Sequence, residues 1–244
     1  MNKVSFAAAL VAASICAAEV SACSSDKDDS SGKAAATTVF DQSNFKHPGA
    51  NAYFPLVPGT VTRLRGSDDG EHYLETVTVT RRTKLIQGVR TTEISDINRR
   101  TNGVLAEKTT DWYATADDGT VWYFGEDTAT YDEHGKLDSR EGTWLAGRDG
   151  ARPGVIMPAH PGVGQAYRQE YLRGDAEDQA WIVANDETIK VPAGAYRKVV
   201  RSYEWSRLES GVVSVKFYAP GIGIVAERDV AGGTEKFDLV SVSH

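Results

Sequence analysis

The densest chemistry in the chain lies between positions 111 and 127. Asp111, Trp112 and Tyr113 precede an Asp117-Asp118-Gly119 turn, and Trp122, Tyr123, Glu126 and Asp127 follow it. If that turn closes a β-hairpin, the two aromatic pairs lie on neighbouring strands and successive side chains point to opposite faces. One member of each pair then faces a core and the other faces out. An outward Trp or Tyr beside Glu126 and Asp127 would stack on a sugar or an aromatic ligand. Asp111, Glu126 and Asp127 would alternatively supply the acid and base of a hydrolase for polysaccharide or ester, which requires two carboxyls facing one another across a cleft. Plain cross-strand packing of the rings accounts for the same pattern without any ligand.

His160 is the second candidate. It sits in Met157-Pro158-Ala159-His160-Pro161-Gly162, ahead of Glu170, Asp175, Glu177 and Asp178. It could act as a base or a ligand, or simply be solvated. The other histidines (His47, His72, His134 and His244) are scattered, with no H-x-H or H-x-x-x-H spacing, so no metal site is expected. The chain lacks a G-x-S-x-G elbow, a Walker loop and a G-x-G-x-x-G run. No catalytic residue and no cofactor is therefore assigned.

Cys23 has a chemistry of its own. Lys3 provides a short positive region, and the alanine-rich stretch that follows is uncharged and too short to span a bilayer as a mature helix. Val20-Ser21-Ala22 before Cys23 resembles the lipobox of bacterial lipoprotein precursors, which implies acylation of the Cys23 thiol and cleavage ahead of it. Val20 replaces the commoner Leu, and Glu19 puts a charge close to the cut. Ordinary signal-peptidase cleavage at the same site would instead release a soluble periplasmic or secreted protein. Ser24 after the cysteine favours the outer membrane by resemblance to enteric sorting rules. With Cys16 removed and Cys23 lipidated, the mature domain has no disulfide and depends on burial for stability.

The elements that must position these residues read as strands. Residues 1–22 form the expected signal peptide, residues 23–40 the lipidated cysteine and a disordered polar tether, and residues 41–244 a single β-rich domain. Short alternations rich in Val, Thr, Tyr and Trp run between turn signals such as Ser67-Asp68-Asp69-Gly70, Thr101-Asn102-Gly103, Glu133-His134-Gly135-Lys136, Glu209-Ser210-Gly211 and Ala231-Gly232-Gly233. Tyr73, Val77 and Val79 share one face, and Thr76, Thr78 and Thr80 share the other. No helical period survives beyond the signal. The expectation is all-β: a single antiparallel meander of about a dozen strands, as a barrel, half-barrel or sandwich. Residues 147–164, with three Pro and five Gly, are expected to be a long ordered connection rather than regular structure.

Several motifs together resemble a family of bacterial lipoproteins and secreted β-rich proteins that carries no assigned activity. These are Asn51-Ala52-Tyr53-Phe54-Pro55-Leu56-Val57-Pro58-Gly59, the Asp111–Asp127 hairpin, Pro153-Gly154-Val155-Ile156-Met157-Pro158, Val191-Pro192-Ala193-Gly194-Ala195-Tyr196, and Tyr218-Ala219-Pro220-Gly221-Ile222-Gly223-Ile224-Val225. The resemblance spans roughly residues 50–242 and implies an exported β-domain. The chain carries a net charge of −7 and a pI near 5.3, which excludes nucleic acid as an expected partner. What remains is membrane contact through the N-terminal lipid and a glycan, lipid or envelope protein as partner. A non-enzymatic binding module is the leading reading, with a hydrolase and a lipid carrier as alternatives.

Overall fold

The computed structural model describes residues 39–244; the expected signal peptide, Cys23 and the tether through residue 38 lie outside the described residues. A short 3-10 turn, Gln42–Phe45, leads into a run of strands that are nearly all joined by tight turns. They are β1 (Val61–Asp68), β2 (Glu71–Ile86), β3 (Val89–Arg100), β4 (Leu105–Thr115), β5 (Val121–Tyr131), β6 (Leu137–Ser139), β7 (Trp144–Leu145), β8 (Arg152–Met157), β9 (Ala166–Arg168), β10 (Glu170–Tyr171), β11 (Asp178–Val191), β12 (Gly194–Ser206), β13 (Val213–Ala219), β14 (Gly223–Ala231) and β15 (Lys236–Ser243). All pairings are antiparallel. The expected turns at Asp69-Gly70, Asn102-Gly103, Asp118-Gly119, His134-Gly135, Ser210-Gly211 and Gly232-Gly233 all fall between strands. One hairpin turn carries no strong sequence signal. Gln87-Gly88 reverses β2 into β3 with φ of 45° and 77°, a conformation that glycine takes readily and glutamine rarely.

The sheet closes on itself. Its order runs β10-β8-β5-β4-β3-β2-β1-β15-β14-β13-β12-β11-β9, so the first and last strands of the domain pair side by side. The two ends of that order, β9 and β10, are separated by Gln169 alone. β9 pairs β11, the Gln169 N–H donates to Asp178 O at 2.8 Å, and β10 pairs β8. One extended segment thus hands over from one side of the gap to the other, which makes the fold a nearly closed barrel.

This handover overturns the reading of residues 147–164 as irregular. Arg152–Met157 is a barrel strand, pairing β5 through Val121, Trp122 and Tyr123. Its Pro153 lies near the strand start, where a missing N–H is tolerated. Gly154 is required for a different reason. A Cβ there would lie 2.4 Å from the carbonyl of Gln169 and 2.6 Å from that of Arg168, so glycine lets the closing segment cross β8.

The Asn51 opener caps one end of the barrel. Asn51 Nδ2 donates to Gly119 O (2.9 Å) and Pro158 O (3.0 Å), while its Oδ1 accepts from the N–H groups of Tyr53 and Phe54. Tyr53, Phe54 and Leu56 then pack against Val121, Met157, Ile182, Val200 and Tyr218. Other apolar material lies outside the barrel wall. Phe40, the last residue of the expected tether, packs edge-on against Trp122 and Phe124 at 5.9 and 5.6 Å, so the folded domain already includes it. The distal part of the β11–β12 hairpin, with Ile189, Val191, Tyr196 and Val199, packs with Phe217, Val225, Ala226 and Leu239.

A Gly154→Ala substitution is expected to destabilise the fold by about 1–3 kcal/mol, because a methyl group would collide with backbone that cannot rotate away. Chemical denaturation checks this. A variant as stable as the parent would show that the closing segment is looser than described.

Candidate functional site

Alternate side chains of the strands point into the barrel, and over much of the wall they are acidic. Glu75 on β2, Asp96 on β3, Glu107 and Asp111 on β4, and Glu126 on β5 line one side of a cavity of about 160 Å³. Glu170 on β10, Asp178 on β11, Glu204 on β12, Glu227 on β14 and Glu235 just ahead of β15 complete it. Among the described residues lining this cavity, Lys216 on β13 is the only cation. Ten carboxyls against one ammonium amount to a formal −9, whereas the whole chain carries −7. The rest of the chain is therefore slightly basic on balance. The negative charge that excluded nucleic acid at the level of composition is held inside. A second space of about 150 Å³ shares Asp96, Asp111, Tyr113 and Lys216 and continues between Phe54, Leu64, Val77, Val79 and Ile94 toward the capped end.

Two regions of the cavity differ in how their charges are met. At the first, Lys216 Nζ lies 3.3 Å from Glu204 Oε2 and 3.4 Å from Glu227 Oε1. Glu204 also accepts from Ser202 Oγ (2.7 Å), Tyr218 Oη (2.8 Å) and Gln169 Nε2 (3.1 Å). Burial alone would raise the Glu204 pKa, but the lysine and these three donors together hold it below the usual carboxylate range. Burial likewise disfavours the Lys216 ammonium, and the charges of Glu204 and Glu227 reverse that, pushing its pKa up. This is an ionised, fully satisfied pair.

At the second region the carboxyls face one another. Asp111 Oδ1 accepts from Tyr123 Oη at 2.7 Å, and Tyr123 stacks on Tyr113 at 4.5 Å. Glu107 accepts from Thr109 and Thr128. Burial pushes both Asp111 and Glu107 up to about 7, and it does the same for Glu227 despite Lys216. Burial followed by repulsion from neighbouring carboxylates raises Asp96, Glu126 and Glu170 well above the ordinary range. Glu126 and Glu170 are each only 2 % exposed, and Glu126 Oε1 and Glu170 Oε2 have no hydrogen-bond partner.

A bulge determines which residues of the 111–127 hairpin reach this cavity. Asp111 pairs Glu126 and Tyr113 pairs Tyr123, so β5 fits one more residue than β4 into that interval. The extra residue is accommodated at Gly125, whose φ of 136° suits glycine, and whose absent Cβ would lie 2.5 Å from the Trp144 carbonyl. Simple alternation would put Tyr123 and Glu126 on opposite faces; the bulge turns both inward. Asp111, Tyr113, Tyr123 and Glu126 therefore meet in the cavity. Trp112 and Trp122 point out of the barrel yet are buried, Trp122 under Phe40 and Phe45 and Trp112 beneath the Lys84 ammonium at 3.4 Å. Neither offers a free face for stacking on a sugar. Asp127 lies on the surface, paired with Arg140 at 3.0 Å. His160 is exposed in the loop after β8, and it is not part of the cavity wall. Glu170 and Asp178, grouped with it by sequence, point into the barrel instead.

The remaining acids were missed by motif reading. The signal was parity: Glu75 follows Tyr73 and precedes Val77 and Val79 on one face, and Asp96 follows Ile94 at the same two-residue step.

The fold and cavity define the class: a nearly closed all-β barrel with an acidic interior. No protein-family model and no curated protein matches the chain. Two solved structures align with 80 % of this chain and the whole of their own. One, from Bacteroides fragilis, is described as an exported protein with a YmcC-like fold (14 % identity, TM-score 0.48). The other, from Parabacteroides distasonis, is described as a lipoprotein (12 % identity, TM-score 0.44).

Two outcomes are expected. Asp111, Glu107 and Glu227 hold protons more tightly folded than unfolded, so their stabilisation is complete below an unfolded carboxylate pKa of about 4 and is lost as pH rises through about 7. The ligand-free protein should show a Tm that falls between about pH 5 and about pH 8, and a flat or rising profile would contradict it. Separately, Lys216→Met should cost about 3–5 kcal/mol, since it strands Glu204 as a buried, uncompensated charge. The double variant Lys216→Met/Glu204→Gln should recover a substantial part of that loss in equilibrium unfolding.

Proposed function

We propose that the protein is an exported, lipid-anchored binding module of the cell envelope that takes a small ligand into its barrel. The anchoring part rests on Cys23 directly after Val20-Ser21-Ala22. The binding part is carried by one observation: a cavity whose wall holds buried polar atoms, including Glu126 Oε1 and Glu170 Oε2, that the protein itself leaves without partners. Such groups cost free energy unless something completes their hydrogen bonding.

The other two readings find less support. A carrier of acyl chains needs an apolar interior, and ten carboxyls are poor company for methylene groups. A hydrolase built on Asp111, Glu126 and Asp127 loses Asp127 to the opposite face. Its remaining pair is shifted in the same direction by burial, whereas acid and base roles call for the two pKa values to be driven apart.

Cys23→Ala protein is expected to be exported but unlabelled by radioactive palmitate and released from membranes; persistent labelling would remove the anchor. For the cavity, Ile156 borders both interior spaces, so Ile156→Trp should occlude them. Native mass spectrometry of protein purified from envelopes should show a small molecule that this variant lacks. Retention of the same mass by the variant, or turnover in a hydrolase panel, would overturn the binding reading.

A further inference from the structure

The proposed binding role leaves the ligand's chemistry open, and the wall of the cavity bears on it. Lys216 is committed to Glu204 and Glu227, so the other eight carboxyls have no cation among the described lining residues. Glu126 and Glu170, at 2 % exposure each, carry oxygens with no donor. Their burial in a nearly closed wall keeps these two side chains from solvent, so a ligand that enters meets an unmet demand for donors and positive charge.

Among the described residues no three acidic or histidine side chains converge on a point where one metal ion would sit. The acids are instead spread over several strands, from Glu75 on β2 to Glu235 ahead of β15. Charge spread in this way suits a ligand whose positive groups are themselves separated. Between the carboxyls lie apolar surfaces: the stacked rings of Tyr113 and Tyr123, Ile156, Ile224 and Phe237. These suit short hydrocarbon spacers, and the tyrosine rings accept an ammonium on their faces.

We propose that the barrel interior binds a small organic polyamine, with ammonium groups on the carboxyl wall around Glu126 and Glu170 and methylene spacers against the tyrosine stack. This rests on the reading of the barrel as a binding module. The rest of the chain is slightly basic on balance, which leaves no net excess of acid outside the cavity to draw a polycation, and binding inside would resist salt better than surface attraction does.

The test uses full-length acylated protein in detergent, with spermidine as probe. Calorimetry and thermal shift at about 0.15 M salt should show saturable, roughly one-to-one binding and a rise in Tm. Glu126→Gln/Glu170→Gln keeps shape while denying both positions the carboxylate that an ammonium would pair with, and should weaken binding at least tenfold, whereas Asp127→Asn, on the surface, should not. An unchanged melting profile for the glutamine variant at acidic pH verifies its fold, and single substitutions replace it if that profile changes. Three results would overturn the proposal: no binding, equal binding by the glutamine variant, or a larger stabilisation by calcium or manganese than by spermidine. If spermidine fails while Ile156→Trp still loses a co-purified molecule, the polyamine is wrong and the binding barrel stands. If both fail, the binding role goes too.

Discussion

Enclosing carboxyl groups where water cannot fully hydrate them is the constraint on which this structure depends. An ionised carboxylate in a protein interior must find a cation, find hydrogen-bond donors, or take up a proton. All three solutions coexist within one barrel. Glu204 has a cation and three donors and stays ionised. Asp111 and Glu107 have only neutral hydroxyl donors and rise to about 7. Glu126 has none that satisfies its Oε1 and is driven higher.

The barrel wall exists to make that enclosure possible. A half-open sheet would let Glu170 and Asp178 turn to solvent, and their position beside the handover between β9 and β10, Glu170 on β10 and Asp178 accepting from the Gln169 N–H, ties their burial directly to closure. Gly154 permits the crossing, and the Asn51 opener caps the apolar end. The aromatic residues that looked most like a ligand platform do structural work: Trp122 glues the N-terminal segment to the outside of β5, while the tyrosines face inward.

Much of the fold was legible in the chain. Turn residues marked six of the hairpins, and the two-residue period of Tyr73, Val77 and Val79 identified an inner face. Gln87-Gly88 and strand β8 were not legible, the first because glutamine is an unusual turn residue and the second because Pro and Gly normally argue against a strand. Of the expected site residues, Tyr113, Tyr123 and Glu126 share the cavity, whereas Trp112, Trp122, Asp127 and His160 do not.

Local chemistry is enough to specify turns, strand period and the Val20-Ser21-Ala22-Cys23 motif, because each depends on neighbours within a few residues. Which acids face one another depends on closure and on bulges. A single extra residue at Gly125 reverses the parity of everything beyond it, and a second at Val225 turns Ile224 and Glu227 to the same side. A net charge of −7 is a property of the chain. That the charge is concentrated inside a barrel, opposite one lysine, was decided only when thirteen strands met around it.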